Sequence, residues 1–167
     1  MNDAHLHLLI NHFPIIGLII GTLILLIGIL FRSSAVKMTA LFVLIISAGF
    51  AIPSFSTGEG AEEVVEHLEG MTEQTHHLIH EHEEKAESFM PFAWAILALS
   101  VVTMFMEWKK KKAALYLNIL VLVVSIMATY FARQVGTSGG EIAHPEIRKG
   151  FTGGNEEHEE HEEHEEH

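Results

Sequence analysis

Four stretches of this chain, residues 8–31, 38–56, 88–106 and 113–132, contain no Asp, Glu, Lys or Arg, although 19% of its 167 residues are charged. Each is about 20 residues long, or roughly 30 Å of helix, which is the thickness of a bilayer core. A helix at the surface of a soluble bundle keeps a polar face, and these four show none around their whole circumference. The pattern predicts an all-α, integral membrane four-helix bundle within residues 1–151, followed by a disordered acidic tail over 152–167. The flank before the first run, residues 1–7, carries Asp3 and no Lys or Arg. A cleaved leader would have a basic flank and a small-residue cleavage site, so the first run is read as a retained helix.

Charge is distributed unevenly between the connections. The segment 32–37 sums to +2 and 107–112 to +3, against -9 for 57–89, -7 from Arg133 onward and -1 for the N-terminal flank. By the positive-inside rule the two basic loops are cytoplasmic. Both termini and the middle loop then lie outside, on the periplasmic side of a bacterial inner membrane. Trp94 and Trp108 are 14 residues apart, as are Tyr116 and Tyr130, a spacing of roughly 21 Å that places one of each pair near each interface. In the first span Gly17, Gly21 and Gly28 form a small-residue stripe that would let a neighbouring helix approach closely.

The outer loop, 57–87, reads as two helical pieces. Ala61, Val64, Val65 and Leu68 recur at helical spacing and end at Gly70, and a second piece runs from Thr72 through Phe89 into span three, with Pro91 as a kink point. After span four, Gly136, Gly139 and Gly140 predict a tight turn. The segments TGEG (57–60) and TSGGE (137–141) form a faint internal repeat that would set two similar turns at one height. The closing EEHEEHEEH spreads its histidines around any helix and is too highly charged to fold.

Absence of cysteine removes disulfides, thiolate metal sites and cysteine nucleophiles. A net charge of -12 without a basic patch on the acidic side argues against nucleic acid. No Ser-His-acid arrangement, phosphate loop or nucleotide fingerprint occurs, which weighs against an enzyme. What remains is histidine: thirteen residues, all at the outer end. His12 lies about one turn inside the first span beside Pro14, which frees the carbonyl of Ile10; a titratable group at that depth needs a partner. In the cluster His76, His77, His80 and His82, only His82 shares a stripe with Leu78, Ile79, Ala86 and Phe89, so it should face the protein while the others face water. His144 follows the second glycine cluster, flanked by Glu141 and Glu146.

The blocks HLHLLINHFPIIG, TGEGAEEVVEHLEG, HEEKA around His82 and GGEIAHPEIRKG resemble a family of small four-span bacterial inner-membrane proteins without an assigned activity. The resemblance reaches to about Phe151 and implies motif positions at His5, His7, His12, Pro14, Thr57, Gly58, Glu59, Glu62, Glu63, His82, Glu83, Gly139, Gly140, His144 and Glu146. Residue chemistry and resemblance together single out His12, His82 and His144 as candidate cofactor ligands. Glu59, Glu83 and Glu146 would complete or orient a metal site. Imidazole and carboxylate without sulfur suit a b-type haem or a divalent transition-metal ion, hence a redox or metal-handling accessory with a membrane or periplasmic redox partner. The alternative is a structural or docking subunit without a bound centre. Transport is disfavoured, because Ser47, Ser100, Thr103, Asn118 and Ser125 are the notable polar groups deep in the spans and small polar groups there usually join helices.

The cysteine-free chain makes topology directly measurable. His158→Cys should react with a membrane-impermeant maleimide in intact cells, and Ser33→Cys only after permeabilisation. The reverse pattern would invert the predicted orientation.

Overall fold

A computed structural model describes residues 2–66 and 73–148. The chain forms α1 (Asp3–Ile10), α2 (His12–Leu30), α3 (Ser34–Glu66), α4 (Glu73–Trp108), α5 (Ala114–Ala143) and a final 3-10 turn, Pro145–Ile147. Four helical rods are long and apolar enough to cross a membrane: α1 with α2, α3, α4 and α5. They pack as two antiparallel hairpins, α1/α2 with α3 and α4 with α5, joined along α3·α4 and α2·α5. One end of the bundle carries both short turns with Lys37, Lys109, Lys110, Lys111 and Lys112, and is called here the basic end. The other is the histidine end. Gly70, residues 67–72 and the tail 152–167 lie outside the described residues.

Pro14 shows why the first rod is split. It has no N–H to offer Ile10, so α1 ends there and α2 begins after a single turn residue, Asn11, whose dihedrals (φ -61°, ψ -23°) remain helical. The released carbonyl of Ile10 accepts instead from Ser54 Oγ at 3.3 Å, and that of Pro14 from Ser47 Oγ at 2.7 Å. Polar contacts to α3 thus replace a lost helical bond where water is excluded. The glycine stripe faces the same helix: a Cβ on Gly17, Gly21 or Gly28 would sit within 2.8–2.9 Å of Ser47, Leu44 or Lys37. The close approach expected from sequence is therefore the α2–α3 contact within one hairpin.

Both short turns are built alike. Arg32 and Lys110 adopt left-handed φ of 52° and 51°. Around the first, Arg32 N–H reaches Ile29 O and Ser33 N–H reaches Gly28 O; around the second, Lys110 N–H reaches Glu107 O and Lys111 N–H reaches Met106 O. This is the Schellman closure, with basic side chains beside a negative helix terminus.

The likeness extends through the two hairpins. In α2, Pro14, Leu18, Gly21, Leu25 and Gly28 are buried; adding 75 to each gives Phe89, Ala93, Ile96, Ser100 and Thr103, which are buried in α4. In α3, Ala40, Leu44, Ser47, Ala51 and Thr57 are buried; adding 81 gives Val121, Ser125, Ala128, Ala132 and Ser138 in α5. The Phe50 ring stacks on Phe13 at 5.0 Å, and its counterpart Phe131 stacks on Phe92 at 4.6 Å. Large and small residues exchange between the halves, as in Leu18 and Ala93, Gly21 and Ile96, or Leu44 and Ser125. The two hairpins share one pattern of burial at the heptad spacing that two packed helices require.

The glycine segments depart from expectation. TGEG lies inside α3 and TSGGE inside α5, so the predicted turns are helix. Glycine disfavours a helix interior by about 1 kcal/mol per residue. At Gly58 and Gly139 the compensation is a side chain seated directly on the backbone.

At the basic end, the Glu107 carboxylate is 6% exposed and receives the Lys37 ammonium. It also accepts from Ser34 Oγ at 2.9 Å and from Asn118 Nδ2 at 2.7 Å. Lys37 and Ser34 belong to the first hairpin, Glu107 and Asn118 to the second. Glu107→Ala would leave a buried ammonium unpaired and should cost about 3–5 kcal/mol, seen as a lowered thermal midpoint in detergent. A loss smaller than about 1 kcal/mol would mean that the hairpins are held by apolar packing alone.

Candidate functional site

At the histidine end, two imidazoles occupy matching places in the two hairpins. His7, on α1, sits against α3: its Nδ1 lies 2.9 Å from Ser54 O and 3.4 Å from Thr57 Oγ1. A Cβ on Gly58 would approach its Cε1 to 3.4 Å. His82, on α4, sits against α5: its Nδ1 lies 2.9 Å from Ser138 Oγ, and a Cβ on Gly139 would approach its Cε1 to 3.2 Å. His7 and His82 are 75 residues apart; Ser54, Thr57 and Gly58 lie 81 residues from Val135, Ser138 and Gly139. The hydroxyls behave alike too. Thr57 donates to Pro53 O and Ser54 O, and Ser138 to Gln134 O and Val135 O.

The tautomer follows from these partners. A carbonyl only accepts, so the bond to Ser54 O places the His7 proton on Nδ1. For His82, the Ser138 hydroxyl proton is already directed at backbone carbonyls, so Oγ accepts from the ring, and Val135 O accepts from it as well. Each neutral ring therefore keeps an unprotonated Nε2, which makes no hydrogen bond among the described residues. Both rings lie just beyond the uncharged runs 8–31 and 88–106. Burial pushes the His7 pKa below its ordinary 6.5, opposed by the bond to Ser54 and assisted by His12. His82 is lowered for the same first reason, with His7 the next contributor.

The residues expected from sequence are distributed differently. Of the histidine cluster, His82 is half-buried, whereas His76, His77 and His80 are exposed, as the helical stripe predicted. His12 is exposed; it lines an apolar cleft of about 370 Å³ on the outer surface of α2 and α3 with Phe13, Ile16, Phe42 and Phe50. His144 and Glu146, with side chains 63% and 60% exposed, bond to each other at 2.9 Å in the final turn. There the Glu146 carboxylate is held below the usual range by its own backbone N–H and by His144. Glu59 is exposed, and Glu83 lies 3.7 Å from His80. Among the described residues, no group of three or more His, Asp or Glu is placed to hold a metal ion.

His7 was missed as an individual site residue. Its neighbours Asp3, His5 and His12 give that flank no apolar periodicity, so its inward direction was not readable from spacing. The available signal was the paired Thr-Gly and Ser-Gly dipeptides, which mark where each ring is seated. One further polar atom belongs to this end. Asn11 lies one turn from His7 on the same face, and its Oδ1 is buried without a hydrogen-bond partner among the described residues.

Compared with models of known protein families, with curated protein sequences and with solved structures, the chain finds no match.

Because the folded His82 resists protonation, the unfolded chain binds the extra proton on acidification through 6.5, and stability falls with falling pH. Comparing wild type with His82→Gln by thermal unfolding between about pH 7 and 5 should show a shallower decline in the variant. Equal slopes would show that the buried ring is not held neutral.

Proposed function

We propose that this chain is a multi-pass protein of a bacterial inner membrane that holds a b-type haem or a transition-metal ion at its histidine end, acting as a redox or metal-handling accessory. The basic turns lie in the cytoplasm in this reading, and both termini lie on the periplasmic side. The observation that carries it is the pair His7 and His82: neutral, half-buried imidazoles with Nδ1 committed to a backbone carbonyl or an anchored hydroxyl and Nε2 left as a lone pair. That is the arrangement by which proteins present an imidazole to iron, zinc or copper, the outer hydrogen bond setting tautomer and direction. His7 and His82 replace the set His12, His82 and His144 as the proposed ligands. Membership of the four-span family fits this reading, since His7, His82, Thr57, Gly58 and Gly139 are all motif positions of that resemblance.

A transport role finds no support in the interior. From Ser125 to Ser138 the buried positions of α5 are Ala128 and Ala132, and on α3 the buried hydroxyls of Ser47 and Ser54 are spent on the carbonyls of Pro14 and Ile10. The proposed centre therefore communicates with the periplasmic side.

Detergent-purified protein should show bound haem in its oxidised and dithionite-reduced absorption spectra, or a stoichiometric metal by elemental analysis. The low-spin haem spectrum, or the bound metal, should be lost in His7→Ala and His82→Ala and persist in His12→Ala and His144→Ala. A colourless, metal-free protein would favour the docking-subunit alternative, and loss in all four variants alike would overturn His7 and His82 as the ligands.

A further inference from the structure

We infer that the ligand is a planar tetrapyrrole, a haem seated in the seam between the two hairpins with His7 and His82 on its opposite faces. This rests on the centre proposed above and names its ligand class. Three observations lead to it.

The first is the likeness of the two hairpins. One hairpin supplies His7 anchored on Ser54 and Thr57, and the other supplies His82 anchored on Val135 and Ser138. Two ligands related by a pseudo-two-fold axis along the bundle satisfy a group that needs two axial donors on opposite faces and brings its other four donors itself. A bare transition-metal ion needs about four protein or water ligands, and no third His, Asp or Glu joins the pair among the described residues.

The second is the seam. At the basic end, hydrogen bonds from Ser34 and Lys37 cross between the hairpins and converge on Glu107. At the histidine end each imidazole is tied within its own hairpin, and the contact from α2 to α5 is apolar, with Ile15 Cδ1 3.3 Å from where a Gly136 Cβ would stand. The α2–α5 side of the seam is thus where a flat apolar macrocycle can enter between the halves.

The third is Asn11. Its buried, unpartnered Oδ1 lies one turn deeper than His7 on the same face. A buried amide oxygen without a donor is costly, and it marks the seam as a place where a polar group of a ligand, or water arriving with it, would be satisfied.

The test is haemin titration of the full-length apoprotein in detergent. One haemin per chain with a low-spin, bis-imidazole spectrum is expected. His7→Ala and His82→Ala should each become high-spin, with added imidazole restoring the low-spin form; His7→Gln and His82→Gln serve as replacements if an alanine variant does not fold. The doubly substituted Ile15→Cys/Gly136→Cys protein, whose disulfide would be the only one in the chain, should lose haemin uptake at least tenfold when oxidised and regain it on reduction. Unaltered uptake by the cross-linked protein would overturn the seam, and a low-spin spectrum surviving both histidine substitutions would overturn the ligand pair. Stoichiometric binding of Co2+ or Zn2+ that depends on His7 and His82, with no haemin binding, would overturn the tetrapyrrole and leave the proposed centre standing. Binding of neither would overturn both.

Discussion

Glu107 sets the relation between the two halves of this bundle. Helices in lipid gain no hydrophobic advantage from meeting each other, so close packing and a few polar contacts decide how they are arranged. The first hairpin is joined by Gly17, Gly21 and Gly28 against α3 and by the hydroxyls of Ser47 and Ser54 on the carbonyls of Pro14 and Ile10. At the basic end, the hydrogen bonds between hairpins end on one carboxylate. A buried carboxylate facing Lys37, Ser34 and Asn118 has one satisfactory orientation, and mismatch leaves a buried charge exposed to low dielectric. The contact therefore specifies register more than it adds stability. Since α2, α3, α4 and α5 are stiff rods, fixing them at the basic end also fixes which residues face each other at the histidine end.

That consequence explains the placement of the two imidazoles. Each lies several helical turns from Glu107, in a region where the seam is apolar, yet both occupy the same relative position in their hairpins. Nothing local requires His7 on α1 to match His82 on α4. The matching hairpin geometry does: a hydroxyl bonded to its own helix, a glycine directly after it, and a ring lying on that glycine. The serine and threonine hydroxyls commonly bond back to carbonyls three and four residues earlier. Here that habit leaves an oxygen acceptor aimed at the ring, which orients the imidazole and selects its tautomer.

Much of this architecture was readable from the residues. Uncharged runs gave the four rods, since an uncharged run of about 20 residues crosses lipid as a helix whereas a barrel strand needs only about half that length. The stripe of Leu78, Ile79, Ala86 and Phe89 gave the inward direction of His82, and Pro14 gave the freed carbonyl that Ser54 receives. The glycine segments were misread because glycine signals a turn by its local preference, whereas at 58 and 139 it serves a long-range close approach that no local rule contains. His7 escaped for a related reason. A charged and polar flank looks solvated until α3 is seen to continue alongside it for several turns beyond its uncharged run. The likeness of the two hairpins escaped as well, because it is a pattern of burial at heptad spacing. Leucine opposite serine, or glycine opposite isoleucine, keeps volume across the bundle while erasing identity between its halves.

The two kinds of polar group in this interior also differ in what they leave unused. At the basic end the carboxylate, the ammonium and the amide nitrogen are engaged with one another, and Asn118 Oδ1 is left without a partner among the described residues. At the histidine end each ring spends its proton on its own hairpin and keeps a lone pair. An imidazole retained only to join helices gains nothing from an unprotonated nitrogen in a half-buried place, where an unmet acceptor is a cost. A phenylalanine or leucine could fill the same volume over Gly58 or Gly139 without that cost. Two such lone pairs at equivalent positions, with protonation disfavoured by burial, make physical sense as donors to a group that arrives from outside the chain.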